Sequence, residues 1–154
     1  MSEAQATLNN LLTTAYETDL YAWSMRNAGL LRERRLQEID AQHIAEELEA
    51  LARSQRRELA NRLLVLLIHL LKWQYQPERR GKSWRVTIYT QRNSIEDLLD
   101  DNPSLKPEIR QLITKNYPRA LRQAADETGL AQEAFPLECP WDIDQILGEY
   151  WPEK

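Results

Sequence analysis

Apolar residues recur every three to four positions along most of the chain, which is the spacing of an amphipathic α-helix. The first such pattern covers residues 8–31, where Gly29 is the predicted end signal. The second and longest pattern covers residues 36–73. Ser54 lies inside it and could cap a new helix. The pattern therefore fits either one long kinked helix or two helices divided near Arg53 and Ser54.

Two apolar stripes follow one another along this long segment. The first consists of Leu36, Ile39, Ile44, Leu48 and Leu51. The second consists of Leu59, Leu63, Leu66, Leu67 and Leu70, and residues 63–71 are apolar on every side except at His69. A helix that is apolar all round is usually buried, so residues 63–71 are predicted to form the centre of the fold. Pro77 ends this segment, because proline lacks the backbone N–H and clashes with the preceding turn.

Shorter helices are predicted in the second half of the chain. Ser83 is expected to cap a helix from Trp84 to about Leu99, and its buried face consists of Ile88, Ile95, Leu98 and Leu99. After a turn at residues 101–104, a helix runs from about Leu105 to Thr128 and ends at Gly129. Pro118 should kink or divide it. The tail is expected to hold a short turn near residues 132–135 and a short helix near residues 142–147.

Composition supports an all-α protein. Leu occurs 24 times, Ile and Val together 11 times, and Gly only 4 times in 154 residues. Leu favours helices more than the β-branched residues do, and few glycines leave few sites for unusual backbone angles. We expect one domain, residues 1–154: a bundle of about five helices with a kinked or broken long central helix and an irregular acidic C-terminal tail. The longest apolar run, Leu63–Leu71, is too short to cross a membrane.

Charge is unevenly distributed along the chain. The net charge is −4, yet residues 72–92 carry +5 and residues 126–154 carry −7. The simplest interpretation is that the acidic tail packs beside the basic stretch, and the alternative is that one of them contacts a partner. The single cysteine, Cys139, fits a reducing compartment. The sequence from Met1 to Ala4 shows no signal peptide, so we expect a cytoplasmic protein that does not contact a membrane.

The strongest candidate for a binding surface is the basic segment, residues 72–85. It interleaves cations with aromatic rings, and the binding candidates are Lys72, Trp73, Arg79, Arg80, Lys82, Trp84 and Arg85. Arginine pairs with carboxylate or phosphate, and aromatic rings can stack on bases. An acidic protein surface and an RNA are both possible partners. The structural alternative is that the tryptophans belong to the core and the arginines pair with the tail.

Other residues are candidates for chemistry, although we expect no metal or cofactor. Asp40, His43 and Glu47 share one helical face, with Glu46 nearby, and metal binding would need His69 from a neighbouring helix. Arg62 and His69 are seven residues apart, which faintly resembles the Arg–His motif of helical nucleotide-binding ribonucleases. Cys139 has no base beside it, and Glu138 should raise its pKa.

Several stretches resemble an uncharacterised bacterial family catalogued as domain of unknown function 29. They are Leu66–Arg80 with Ser83–Trp84, Leu20–Trp23, Glu46–Glu49, Pro103–Leu105, Glu127–Leu130, Phe135–Pro136 and Cys139–Pro140. The resemblance covers residues 16–148 and implies an all-helical fold, but no activity, cofactor or substrate. Ala52 departs from it, because relatives are expected to carry Gly there, and this weakens the case for a clean helix break.

Taken together, these patterns favour a non-enzymatic helical protein that acts by binding through residues 72–85. Its partner and oligomeric state remain open. The alternative is a metal-dependent or RNA-cleaving enzyme that uses His43, Glu47 and His69.

Overall fold

A computed structural model describes residues 2–153, apart from the side chain of Thr14. Within these residues the regular structure is entirely helical, so the predicted all-α class is confirmed. The α-helices are α1 (Glu3–Thr18), α2 (Leu20–Arg32), α3 (Ala41–Tyr75), α4 (Lys82–Asp101), α5 (Ile109–Thr128) and α6 (Ile143–Leu147). Short 3₁₀ helices cover Pro77–Arg79, Pro103–Glu108 and Gln132–Ala134.

The chain forms two compact units, Met1–Arg53 and Ser54–Lys154. Helix α3 is continuous over 35 residues. The helix break that the sequence allowed near Arg53 and Ser54 therefore does not occur. The single domain over residues 1–154 stays a prediction, and its two terminal residues lie outside the described part of the chain.

In the first unit, the helix predicted over residues 8–31 is in fact two helices. Asp19 separates them: its backbone is not helical, with φ −150° and ψ 84°, and its carboxylate accepts a hydrogen bond of 3.0 Å from the N–H of Ala22. This is the N-cap geometry that satisfies a free amide in the first turn of a helix. Helix α2 then continues beyond the predicted end at Gly29 and stops at Arg32.

Helix α3 begins five residues later than its apolar pattern. The Asp40 carboxylate accepts the His43 N–H at 3.4 Å, and the Asp40 carbonyl accepts the Ile44 N–H at 2.9 Å, so Asp40 stands at the start of the helix. The first apolar stripe is poorly covered, because Leu36, Leu48 and Leu51 are 60%, 62% and 58% exposed.

The second unit contains the dense core that the sequence predicts. The fully buried leucines of α3 are Leu59, Leu63, Leu66, Leu67, Leu70 and Leu71, and they belong to one cluster with Ile88 and Ile95 of α4 and Leu112 and Ala120 of α5. Burying a leucine side chain contributes about 1.5–3 kcal/mol. Residues 63–71 therefore form the centre of this unit, as their all-round apolar pattern predicts.

Helices α4 and α5 differ from their predicted starts. Gly81, not Ser83, precedes α4, and the Ser83 carbonyl accepts a hydrogen bond from the Thr87 hydroxyl at 3.0 Å. A 3₁₀ helix precedes α5, which begins at Ile109 rather than near Leu105. Pro118 does not divide α5.

The predicted ends and the tail helix agree better with the sequence. Helix α5 stops at Gly129, whose φ of 74° is the left-handed conformation that favours glycine. In the tail, the Asp142 carboxylate accepts the Gln145 N–H, and the Gln145 side chain accepts the Asp142 N–H, which together form a capping box at the start of α6.

Candidate functional site

The basic segment spans the end of α3, the 3₁₀ helix Pro77–Arg79 and the first turn of α4. Both of its tryptophans pack against other side chains of the second unit. Trp73 is buried, and its ring centroid lies 4.7 Å from that of Trp151 in the tail. Trp84 is half-buried, with the Lys72 ammonium 4.8 Å from its ring centroid. Both tryptophans therefore pack within the fold, as predicted by the interpretation that they belong to the core.

Two of the predicted binding cations also hold the fold together. Lys72 is mostly buried and pairs with Glu127, Nζ to Oε2, at 3.2 Å. The Arg80 Nε donates to the Trp73 carbonyl at 2.6 Å, and its Nη2 donates to the Pro152 carbonyl at 3.5 Å. The Arg80 guanidinium also lies 5.3 Å from the Trp73 ring centroid. Arg80 thus fastens the tail to the end of α3.

The remaining three cations, Arg79, Lys82 and Arg85, are exposed. The guanidinium of Arg85 lies 5.9 Å from the ring centroid of Trp73, at the edge of a cation–π contact. Among the described residues, no carboxylate forms an ion pair with any of these three side chains. We call them the exposed cations.

The acidic tail, residues 126–154, packs against the basic segment through one ion pair, Glu127 with Lys72, and otherwise through rings and main-chain carbonyls. Trp151 contacts Trp73 and, at 5.4 Å between ring centroids, Tyr89 of α4. Pro152 is fully buried, and its carbonyl accepts from Arg80. After Glu127, the tail meets the basic segment with its rings and main-chain carbonyls. Its negative charges therefore leave the exposed cations without neutralising ion pairs.

Arg92 of α4 is the main residue of this region that the sequence reasoning missed. It is buried, its Nε donates to the Ile146 carbonyl at 2.8 Å, and its Nη2 donates to the carbonyls of Gln145 at 3.0 Å and Tyr150 at 2.6 Å. Burial lowers the pKa of its guanidinium. The sequence could have identified Arg92 as buried, because it lies four residues after Ile88 and three before Ile95, on the predicted buried face of the helix.

In the first unit, Asp40, His43 and Glu47 do share one region, but aromatic and amide partners occupy them. The buried Asp40 carboxylate accepts from the Trp23 Nε1–H at 2.9 Å and from His43 Nδ1 at 2.7 Å. The Tyr16 ring stacks on His43 at 4.2 Å between centroids, and its hydroxyl donates to Glu47. This hydrogen bond raises the pKa of Tyr16 to about 12.

The structure does not bring together the ligands of the metal site that the sequence suggested as a possibility. His69 lies on the same helix as His43 rather than on a neighbouring one. Within residues 2–153, no three side chains of the types His, Cys, Asp and Glu come together in a group that could hold a metal ion. Asp40, His43 and Glu47 instead serve as a polar cluster that packs α1 and α2 onto the start of α3.

Arg62 and His69 are each engaged by other groups. The Arg62 Nη2 pairs with Glu58 at 2.8 Å. The His69 Nδ1–H donates to the Val65 carbonyl at 2.8 Å, one turn earlier in the same helix. Burial, followed by the nearby Lys72 charge, lowers the pKa of His69, which favours the neutral ring. These contacts match a half-buried structural histidine.

Cys139 is half-buried, and its thiol donates to the Trp141 carbonyl at 3.5 Å. Its pKa is raised, as expected, but the cause is burial rather than Glu138. A thiol with a raised pKa is mostly protonated at neutral pH and is a poor nucleophile.

Comparisons with known proteins give one result. No curated protein and no solved structure matches the chain. Across residues 2–153, none of the helices has the length and apolar character needed to cross a membrane. The model of one family matches residues 15–152, which is nearly the whole chain. The chain therefore belongs to the family described as Domain of unknown function DUF29.

Proposed function

We propose that the protein acts by binding, without catalysis, and that the exposed cations contact an acidic surface of a partner protein. The observation that carries this proposal is the absence of any ion pair to Arg79, Lys82 or Arg85 within the described chain, although an acidic tail packs against the same segment. Cations that the fold does not neutralise remain available for charge-assisted hydrogen bonds to carboxylates.

A protein partner is favoured over RNA by the state of the aromatic rings. Sequence-tolerant RNA binding relies on bases that stack on open aromatic faces. Trp73 is buried, and Trp84 is half-covered with Lys72 against it. The exposed cations have instead the half-exposed Val86 and Tyr89 nearby in the sequence of α4. A mixture of Arg, Tyr and aliphatic side chains is typical of protein interfaces.

We place this activity in the bacterial cytoplasm, where a single unpaired cysteine is ordinary. The alternative, an enzyme that uses His43, Glu47 and His69, has no comparable support. Each of these side chains is hydrogen-bonded to a neighbouring residue of the fold.

The test removes the exposed cations without disturbing the tail. The variant is Arg79→Ala/Lys82→Ala/Arg85→Ala, and Arg80 is left intact because it bonds the carbonyls of Trp73 and Pro152. The matched control is Lys115→Ala/Arg119→Ala/Arg122→Ala on α5, which removes the same three charges from exposed positions. Tagged proteins are used as bait in native lysate of the source organism, and captured proteins and nucleic acids are identified.

We expect wild type and control to capture an acidic protein that the variant does not capture. A titration with the purified partner should then weaken with added salt, because exposed ion pairs are screened. Capture of the same protein by the variant would contradict the proposal. Capture of RNA alone, lost in the variant, would replace the protein partner with RNA.

A further inference from the structure

A groove of about 640 Å³ lies between α4 and α6 in the second unit. One wall is a face of α4 on which four lining residues follow helical spacing: Arg92, Glu96, Leu99 and Asp100. The other wall comes from α6 and the residues after it, and it includes Asp144, Leu147 and Glu149. We call this the α4–α6 groove. Its volume is within the range of roughly 300–1,000 Å³ that is typical of small-molecule pockets.

The guanidinium of Arg92 has no charged partner in this wall. The residue is only 6% exposed, and its hydrogen bonds go to neutral main-chain carbonyls, those of Gln145, Ile146 and Tyr150. Among the described residues it forms no ion pair. Its central carbon lies 5.6 Å from the Trp151 ring centroid, a cation–π contact that leaves the net charge in place.

One nitrogen of Arg92, Nη1, lacks a hydrogen-bond partner within the described chain. A guanidinium carries two N–H groups on this nitrogen. A buried donor without an acceptor and a buried charge without a counterion both cost free energy. An anionic group of a ligand would remove both costs at once, and carboxylate is the group that arginine binds most strongly among biological acceptors of its size.

Four carboxylates line the same groove, namely those of Glu96, Asp100, Asp144 and Glu149. All four residues are exposed, and within residues 2–153 none of them forms an ion pair. Glu96 and Asp100 are about 6 Å apart along the axis of α4. In the described part of the chain, no three such groups converge on a point that could hold a metal ion. Spread along two walls, they suit the separated cationic groups of an organic ligand.

The two kinds of charge together decide the class of ligand. A simple anion such as phosphate would contact Arg92 but would be repelled by the carboxylates, and Lys106 supplies one further positive charge. A simple diamine would be attracted by the carboxylates but would leave Nη1 unpaired. A zwitterion satisfies both, and its methylene groups can pack on Leu99 and Leu147, which line the same groove.

We propose that the α4–α6 groove binds a small zwitterion with one carboxylate and two cationic groups, which is the chemistry of a free basic amino acid. The carboxylate accepts from Arg92, and the two cationic groups lie among the four carboxylates. Nη1 is shielded from water in the free protein, so binding includes a small side-chain shift in the groove wall, as is common at binding sites. The exposed cations are not part of this site, so Arg79→Ala/Lys82→Ala/Arg85→Ala should bind the ligand as wild type does.

Titration of the purified full chain with L-lysine and L-arginine, followed by the NMR shifts of its backbone amides, tests the proposal. We expect saturable shifts concentrated in residues 89–100 and 144–149. Two analogues of lysine separate the contributions of its charged groups. Cadaverine lacks the carboxylate, and 6-aminohexanoate lacks the α-ammonium group. Each should bind roughly tenfold more weakly than lysine or worse.

A variant tests the carboxylates without disturbing Arg92, whose contacts hold the tail. Glu96→Gln/Asp144→Asn changes one exposed acid in each wall and should weaken lysine binding roughly tenfold or more. The matched control is Asp126→Asn/Glu133→Gln, which changes two exposed acids of the same unit outside the groove. Its affinity should equal that of the wild type, and the dispersion of the amide spectrum shows whether each variant is folded.

Three results would overturn the proposal. They are the absence of saturable shifts with either amino acid up to millimolar concentration, equal affinities for lysine and cadaverine, and a groove variant that binds as tightly as the control. The peptide Gly-Gly-Lys distinguishes a second source of the same chemistry, because its lysine has a free carboxylate but no free α-ammonium group. If this peptide bound more tightly than lysine, the ligand would be a peptide C-terminus and the free amino acid would be wrong.

Discussion

The two units of the chain are stabilised by different means. In the second unit, six fully buried leucines of α3 pack against apolar residues of α4 and α5. In the first unit, α2 meets the start of α3 through the buried Asp40 carboxylate, which accepts from the Trp23 indole and from His43. Helix α1 meets the start of α3 through Tyr16, which stacks on His43 and donates to Glu47. The same helical spacing of leucines forms a core where other helices supply apolar surface, and an exposed face where they do not.

The largest expected effect is in the leucine core. Leu67→Ala should destabilise the second unit by about 2–5 kcal/mol, because the side chain is fully buried and its removal leaves a cavity. Urea unfolding followed by tryptophan fluorescence measures this loss. Leu137→Ala, at a highly exposed leucine of the same unit, should stay within about 0.5 kcal/mol of wild type. Equal losses at the two positions would contradict the central role of residues 63–71.

The polar anchor of the same unit should be the next most sensitive. Arg92→Ala leaves the carbonyls of Gln145, Ile146 and Tyr150 without their donor, so we expect a loss of about 2–4 kcal/mol. Limited proteolysis should then cut the tail faster than in wild type. Arg119→Ala, at an exposed arginine of α5, serves as the control. A tail that stays protected in Arg92→Ala would show that Trp151 and Pro152 hold it without the guanidinium.

The first unit should respond to its buried carboxylate. Asp40→Ala removes the acceptor of the Trp23 indole and of His43, and should cost about 1–3 kcal/mol. Near-UV circular dichroism should lose the signal of an immobilised Trp23, while the unfolding of the second unit stays as in wild type. Glu17→Ala, at an exposed acid of α1, is the control. If Asp40→Ala also shifted the unfolding of the second unit, the two units would not be stabilised separately.

The smallest effect concerns pH. The pKa of His69 is lowered from its ordinary value of 6.5 by burial, so the unfolded chain binds the proton more readily than the folded chain does. Stability from this residue is complete above about pH 6.5 and declines as the pH falls below it. Thermal melts between neutral and mildly acidic pH should therefore fall less steeply for His69→Gln than for wild type. Identical slopes would mean that His69 titrates as it does in the unfolded chain.

The buried centre and most chain reversals could be predicted from the sequence, because they depend on local properties. Residues 63–71 are apolar on every side except at His69, and Gly129 adopts the left-handed conformation at a helix end. The break at Asp19 was missed since apolar spacing continues across it. Only the N-cap preference of aspartate, read against that spacing, would have signalled it.

The candidate site was predictable only in part. That the segment is basic and aromatic is plain from the sequence, but which cations are exposed depends on where the tail packs. Arg80 and Arg79 are adjacent and chemically identical, yet only Arg80 reaches the carbonyl of Pro152, 72 positions away in the sequence. Likewise, a stripe such as Leu48 and Leu51 shows that a helix has an apolar side, but not whether another element covers it.

Helix α3 has an exposed part and a buried part, and this difference should affect how fast its amide protons exchange with solvent. Residues 48–54 are all exposed, so a small local opening of the helix is enough to let water reach their amides. The amides of residues 63–71 are enclosed in the core and are released only by a much larger opening. A single helix of unchanged secondary structure should thus contain two populations of amides, one exchanging quickly and the other slowly.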